Sequence, residues 1–510
     1  LLRKSSNGVR IKAFAVVLMV TTILLTFSAC QWDSSAQTKS DVHGAEDLKS
    51  ATIGVQLGTT GDIYASDYKK DGAIIVEYNK GADAIQALKK SKVDCVVIDE
   101  QPAKNFVKQN ADLSILDEAF AVEEYAICFA KSNTELRDKV NSALAQIKDN
   151  GTLDSIIDSY ISGKDNSTYQ YISQSNTVPT NGTLTVATNA SFEPYEYMEN
   201  GKICGIDIDV SQAIADILGM ELKVTDMEFD SIITAVSSGK ADMGVSGITI
   251  TDERKKNIEF STPYTAAKQV IIVRNGTSDN NAFLSVDKFK ANFLDEGRWQ
   301  YLAQGLLTTL QITLLAVIMG IVLGFLIAIG RVSCEKTGKY KVLNWILKTY
   351  LTIIRGTPTM IQLLIIYYVI FASSSIDKVL VAVIAFGLNS SAYIAEIVRS
   401  GIESISEGQF EAGRSLGFTY AQTMRHFILP QAIKNVLPAL GNELIVLLKE
   451  TSISGYIGIM DLTRGGDYIR SRTYDAFLPL IVVALIYLAI VSILSALLGK
   501  LERRLKNDDK

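Results

Sequence analysis

The stretch Ser406 to Leu437 reads SEGQFEAGRSLGFTYAQTMRHFILPQAIKNVL, and the rest of the chain is organised around it. It lies between hydrophobic runs long enough to cross a bilayer, yet it carries Glu407, Glu411, Arg414, Arg425 and His426. Charges at that density do not sit in lipid, so the stretch is a connection outside the membrane core. Its spacing predicts two short helices. Gly408 and Gln409 open the first, Phe410, Ala412 and Leu416 recur at near-helical intervals, and Gly417 ends it. Thr419 caps the second, which runs through Ala421, Met424, Phe427 and Ile428 until Leu429-Pro430 stops it. The pair forms an apolar ridge edged by charge, a knob for a soluble partner with a groove.

Working outward, the runs long enough to span are Leu302 to Ile329, Thr349 to Phe371, Val379 to Ile397, Ala432 to Ile459 and Phe477 to Leu498, which predicts five crossings. Gly356 and Pro358 interrupt the second, and Glu443 stands in the fourth. Arg331 to Lys348 holds Arg331, Lys336, Lys339, Lys341 and Lys348 against Glu335, and the C-terminal segment holds Arg503, Arg504 and Lys506. The connection Ser373 to Asp377 is nearly uncharged. Positive segments stay in the cytoplasm, which places the knob and the C-terminus inside.

Glu411-Ala412-Gly413, Gly417 and Ile428-Leu429-Pro430 resemble the EAA loop of bacterial ABC importer permeases, with Gly413 where that family has Ala. The resemblance extends through residues 283–510 to polar amino acid permeases of the histidine, glutamine and arginine type. It is carried by Gly305 to Leu310, Arg355-Gly356-Thr357-Pro358, Ala392 to Glu396, Gly441-Asn442-Glu443 and Lys449 to Ser452. It implies an all-α permease domain whose loop residues Glu411, Ala412, Gly413, Gly417, Leu429 and Pro430 dock on an ATP-hydrolysing subunit. It also implies a second permease copy, or a related permease, across a two-fold axis.

The N-terminal part is different. Arg3, Lys4, Arg10 and Lys12 precede an apolar run that ends in Phe27-Ser28-Ala29-Cys30, the layout of an export signal. The last four residues resemble a bacterial lipobox, so residues 1–30 are either cleaved with lipidation of Cys30 or kept as an anchor. Residues 31–45 are a polar tether. Short apolar strands then alternate with amphipathic helices over 46–164 and again over 183–275, separated by a Ser- and Asn-rich linker at 165–182.

Within the later half, Thr188 to Tyr195, Gly205 to Asp209, Gly247 to Arg254 and Phe260 to Tyr264 resemble the first lobe of polar amino acid binding proteins. The earlier half, with Gly58-Thr59 and Asp94 to Asp99, resembles that family's second lobe and C-terminal helices. The family order is thus reversed, which implies a circularly permuted, two-lobed α/β domain of the type II periplasmic binding protein kind. Two truncated binding domains, each needing a partner, are the competing arrangement. The resemblance makes Arg254 the partner of a ligand carboxylate, assisted by Thr249, Thr251 and Thr59. Asp99 and the Gly247 carbonyl then take the ammonium, and Phe192 and Phe229 enclose the side chain.

Composition excludes several other classes. A net charge of −5 offers no basic face for nucleic acid. Five cysteines and two histidines form no metal-ligand spacing, and Cys95, Cys128 and Cys204 lie in apolar strands where buried thiols are expected. Gly163-Lys164, Gly201-Lys202 and Gly239-Lys240 lack the rest of a P-loop, so ATP and Mg belong to a separate chain. The function expected is an amino acid importer subunit of the bacterial plasma membrane with its trap attached. A ligand-gated channel and a dehydratase on a binding-protein fold are the alternatives.

Overall fold

Among the described residues, short β-branched and apolar runs divided by Gly and polar turns make fourteen strands before residue 275. They are β1 Thr52–Gln56, β2 Ile74–Tyr78, β3 Cys95–Asp99, β4 Leu113–Ile115, β5 Ala121–Tyr125, β6 Cys128–Ala130 and β7 Thr183–Thr188. β8 Ser191–Phe192, β9 Glu196–Glu199, β10 Lys202–Cys204, β11 Glu221–Asp226, β12 Met243–Gly244, β13 Ile258–Phe260 and β14 Thr265–Arg274 follow. The computed structural model describes residues 41–161, 171, 179–199, 201–276, 286–372, 376–473, 475 and 477–507. The export segment with Cys30, most of the tether and most of the 165–182 linker lie outside the described residues.

Two sheets form. One has the order β2-β1-β3-β14-β4, with β5 also on β14, and the other β11-β7-β12-β6-β13. β1 pairs in parallel with β2 and β3, while β14 runs antiparallel to β3 with Val270 opposite Ile98. Every residue of β3 is buried, as a continuous apolar run demands of a central strand. Helices α1 Thr60–Asp67, α2 Gly81–Lys89 and α3 Glu100–Gln109 pack on the first sheet. Helices α4 Thr134–Asp149, α5 Thr152–Ile161, α6 Ile206–Leu218 and α7 Ile232–Ser237 pack on the second.

The resulting β1 lobe and β7 lobe are not the two halves of the sequence. The chain leaves the β1 lobe between β5 and β6, and returns to it between β13 and β14. Strand β6 and helices α4 and α5 therefore belong to the β7 lobe, where Val140, Leu144, Ile147 and Ile156 share a core with Leu184, Val186, Ile206 and Ile214. Strand β14, from the later half, completes the β1 sheet instead. The division at 164/183 marks a change in sequence, whereas the lobes are set by strand pairing.

After the one-turn helix Val286–Phe289 come α8 Trp299–Thr337, α9 Lys341–Gly356, α10 Thr359–Ile365, α11 Lys378–Glu403, α12 Glu407–Ser415, α13 Tyr420–Thr423, α14 Leu429–Glu450, α15 Leu462–Thr473 and α16 Phe477–Asn507. Among the described residues, three of them, α8, α11 and α16, are long and apolar enough to cross a membrane. A fourth crossing results if α9 and the bent segment Thr359–Ile370 count as one span, but the two meet at 110°. This differs from the five expected runs for two reasons. Pro358, which has no N–H to donate, lets the 349–371 run turn sharply, and α14 carries Lys434, Glu443, Lys449 and Glu450. Helices α8 and α11 approach closely because glycines of α8 face α11: a Cβ on Gly320 would lie 3.0 Å from Ser390 Cβ, and one on Gly324 2.6 Å from Ile394 Cγ2.

The knob departs from expectation at one end. Ser406 caps α12, Gly417 takes a positive φ, and Thr419 forms a capping box with Gln422. However, the second helix does not stop at Leu429-Pro430. It widens into a π turn over Met424–Ile428 and continues as α14, because Pro430 falls in the first turn, where its missing N–H has no partner to lose.

Candidate functional site

Between the lobes lies a narrow, closed cleft with a free volume of about 10 Å³, room for about one water. The β1 lobe lines it with Gln56, Thr59, Thr60 and Asp99, and the β7 lobe with Asn189, Phe192, Phe229, Ser246, Gly247 and Arg254. Thr59 and Thr60 sit where the turn at Gly58 feeds the N-terminus of α1; the Gly58 N–H donates to Asp62 (3.0 Å) and the Thr59 N–H to the Gln56 carbonyl (3.2 Å), which fixes the turn. Asp99 ends β3, and Gly247 follows β12 with φ +51. A side chain there would meet Phe192 at 3.1 Å and Tyr125 at 3.2 Å, so the close wall requires glycine.

The two charges of the cavity come from opposite lobes. Arg254 is buried, donates to the Thr249 carbonyl (2.8 Å) and across the cleft to the Gly58 carbonyl (2.8 Å), and lies 5.6 Å from the centre of the Phe229 ring. No carboxylate pairs with it among the described residues. Asp99 accepts a hydrogen bond from the Tyr125 hydroxyl. Burial first, and the Glu123 carboxylate second, push Asp99 up to about 7. Behind the wall, the Gly247 N–H donates to Asp207 (2.8 Å) and the Ser246 hydroxyl to Glu196 (2.5 Å), which fixes that turn.

Of the residues singled out from sequence, Asp99, Thr59, Phe192, Phe229, Gly247 and Arg254 face the cavity. The Thr59 hydroxyl donates to the Gln56 carbonyl (2.7 Å), so its proton is spent within its own turn. Thr249 is buried behind the wall, donating to Glu123 at 2.6 Å. Thr251 stands off the wall, its hydroxyl accepting the Arg254 N–H at 3.2 Å. Sequence reasoning passed over Gln56, Thr60, Asn189 and Ser246, which line the cavity, and Glu123 behind it. The doubled hydroxyl at Thr59-Thr60 after Gly58 was the available signal.

A second part of the site was not foreseen. Helix α15 lies against both lobes of the clamp at once. Arg464 pairs with Asp226 and Glu228, Tyr468 donates to Asp226, and Arg472 reaches Glu193 (2.6 Å) and Glu199 (3.3 Å), all on the β7 lobe. Asp467 meets Lys80 (2.7 Å) and Arg470 meets Asp83 on the β1 lobe. Burial would raise Asp226, yet the Arg464 charge and the Tyr468 hydroxyl hold it below the usual carboxylate range. Arg464 is only 3 % exposed, so removing one partner leaves a buried charge, a loss of about 3–5 kcal/mol. The mixed charges of Asp461 to Asp475 were legible, and Arg464, Asp467, Tyr468 and Ser471 share a helical face, but their partners were not.

The knob residues fall together as well. Glu411, Ala412 and Gly413 lie on α12, Gly417 follows it, and Leu429 and Pro430 open α14. Gly413 packs on α13: an added Cβ would lie 2.6 Å from Thr423 Cγ2, which accounts for glycine where the family has alanine.

A clamp with a closed, oppositely charged cavity, seated on helices that cross a membrane, defines a solute-import protein with capture and permeation on one chain. The model of the bacterial extracellular solute-binding proteins, family 3, matches residues 64–163 and 184–422. The C-terminal part resembles the arginine transport system permease protein ArtQ of Bacillus subtilis (strain 168), 38% identical over 211 residues, covering 41% of this chain and 94% of that one. The L-cystine transport system permease protein TcyB of the same organism is 37% identical over 216 residues, covering 42% and 90%. A crystal structure of an amino acid ABC transporter with histidines is 43% identical, covers 44% of this chain and 99% of that one, and has a TM-score of 0.39. The chain belongs to the family 3 extracellular solute-binding proteins and, through its C-terminal part, to the permeases of amino acid ABC importers. Its permease relatives are transport proteins and not enzymes.

Proposed function

We propose that the chain captures a polar amino acid outside the membrane and passes it to its own helices, while a separate ABC ATPase binds Mg and ATP. The observation that carries this reading is the charge arrangement of one closed cavity: Arg254 without a carboxylate partner on one lobe, and Asp99 without a cation on the other. A zwitterion supplies both missing charges. Its carboxylate takes Arg254, and its ammonium takes Asp99 and the Gly247 carbonyl. Phe192 and Phe229 flank the side chain and exclude water, which strengthens the polar contacts. The clamp is read as one circularly permuted domain because each lobe draws strands from both halves of the sequence.

Transmission follows from chain continuity. The knob helix α13 runs through the π turn into α14, and a 3-10 segment, Thr451–Ile457, leads on to α15. Asp461 fastens this last corner, accepting from Ser454 (2.8 Å), the Gly455 N–H (2.7 Å) and the Arg464 N–H (2.8 Å). A motor docked around Glu411, Ala412, Gly413, Gly417, Leu429 and Pro430 therefore moves the seat that grips both lobes. The clamp lies outside and the knob inside, by the charge bias of the connections. Five crossings fit this topology if the bent α9 segment and α14 each count as one. The largely exposed apolar face of α16 is suited to lipid or a second permease copy. Cys30 is then a lipid anchor on the outer face.

The test is uptake by proteoliposomes containing the full chain with and without an amino acid ABC ATPase. Labelled arginine and cystine, the solutes named for the relatives, are tried first and the other amino acids next. Accumulation should require ATP and the ATPase, and Arg254→Ala should abolish it. Flux through the chain alone would overturn active import in favour of a channel.

A further inference from the structure

The two lobes of the clamp meet the membrane part by different chemistry. Met227 and Ile232 of the β7 lobe are buried in one continuous core with Tyr367, Phe386 and Ile459 of the membrane part. Ala190 and Met198 of the same lobe join a second core with Tyr301, Leu462 and Ile469. Backbones meet there too: Gly458 takes a positive φ, and a Cβ on it would run into the Asp226 carbonyl. The Gly201 N–H donates to the Tyr301 hydroxyl (3.3 Å), and the Lys240 ammonium lies 4.8 Å from the centre of the Tyr367 ring.

The β1 lobe shares no such core. Among the described residues its two apolar clusters are closed on themselves, built from residues 42–120 and 270–273 alone. What joins it to α15 are the ion pairs Lys80 with Asp467 and Asp83 with Arg470. Apolar burial has no direction and needs no charge, whereas ion pairs in reach of water give way to screening. Covalent linkage does not account for the difference, because the chain passes to the membrane part from β14, which belongs to the β1 lobe. We propose that the β7 lobe is a fixed jaw built onto the helices, and that the clamp opens by swinging the β1 lobe alone. The swing turns on the two chain crossings, between β5 and β6 and between β13 and β14. Opening then breaks the Lys80 and Asp83 pairs and leaves Arg464, Tyr468 and Arg472 on their partners. Asp99 travels with the moving jaw while Arg254 stays beside the permease, and the clamp never lifts off as a unit. What the jaws close upon rests on the amino acid reading above; which jaw moves does not.

The experiment places spin labels in pairs on the full chain, in nanodiscs of phosphatidylethanolamine and phosphatidylglycerol, and measures their separations. Asp295 is the reference on the membrane part, next to the buried Phe293 and Asn292, whose amide oxygen accepts from Thr473 (2.8 Å). Ser142 on α4 reports the β7 lobe and Lys70, beyond α1, the β1 lobe; all three labelled positions are exposed. When the twenty protein L-amino acids are added together, the 295–70 distance should shift by more than about 2 Å while the 295–142 distance stays as it was. Lys80→Glu, which sets like charge against Asp467, should add open 295–70 population to the closed sample, again without moving the 295–142 distance. Salt at about 1 M should do the same to the unaltered chain, and stands in for the variant should that fail to fold. A 295–142 distance that moves, with the other or alone, would overturn the proposal, because the β7 lobe would then leave its seat. A 295–70 distance that neither Lys80→Glu nor salt can shift would overturn it as well. Movement of the β1 lobe under those two conditions but with no amino acid would uphold the jaws and overturn the amino acid reading instead.

Discussion

Asp99 shows how a single buried carboxyl makes closure depend on what fills the cleft. An exposed aspartate loses its proton near 3.9. In the closed, empty cleft, burial and Glu123 push Asp99 up to about 7. The closed form therefore binds a proton that an open form, with Asp99 in water, does not. Its advantage is complete at acid pH and is lost as pH climbs through about 7. Fluorescence transfer between dyes on the two lobes should report a larger closed fraction without ligand at about pH 5 than at about pH 8. In Asp99→Asn that difference should vanish, and a persisting pH dependence would exclude Asp99 as its source. An ammonium beside Asp99 replaces the proton, so a bound amino acid should hold the clamp closed at the higher pH as well.

At the scale of elements, α15 decides how the clamp meets the membrane part. One short helix engages Lys80 and Asp83 on one lobe and Asp226, Glu228, Glu193 and Glu199 on the other. With the lobes closed both sets are engaged at once, so the helix is complementary to that arrangement. Asp83→Arg, facing Arg470, should reduce ligand-stimulated ATPase activity by about tenfold or more while leaving amino acid affinity of the clamp unchanged. Adding Arg470→Asp should restore part of the activity. Loss of amino acid affinity in the single variant, or no recovery in the pair, would mean that Asp83 serves the fold of its lobe and not docking.

Across the whole molecule, the motor side and the trap side are joined by one run of helices from Tyr420 to Thr473. Glu411→Arg reverses charge on the knob, far from the cleft. It should abolish ATP-driven uptake and leave both amino acid binding and thermal stability of the full chain as they were. Saturating amino acid at a hundred times its Kd should still stabilise the clamp by about 2.7 kcal/mol in this variant. Uptake that continues undiminished would remove the docking role of Glu411.

What the sequence determined by itself are features that local rules decide. A strand rhythm, a run of apolar residues, a charge bias and a capping threonine are each read within a few turns of chain. Motif order then pointed to Arg254, Asp99, Gly247, Phe192 and Phe229, all of which face one cavity. Only the tertiary structure decided what depends on distant partners. It set which lobe β6 and β14 join, that Thr60 lines the cleft where the Thr59 hydroxyl turns back to Gln56, and that Glu123 points inward. It also set the 110° bend that lowers the number of clear spans, and the seat on α15. Arg464 and Asp226 are 238 residues apart, and no local periodicity can announce a pair that exists only because the lobe is seated on the helix.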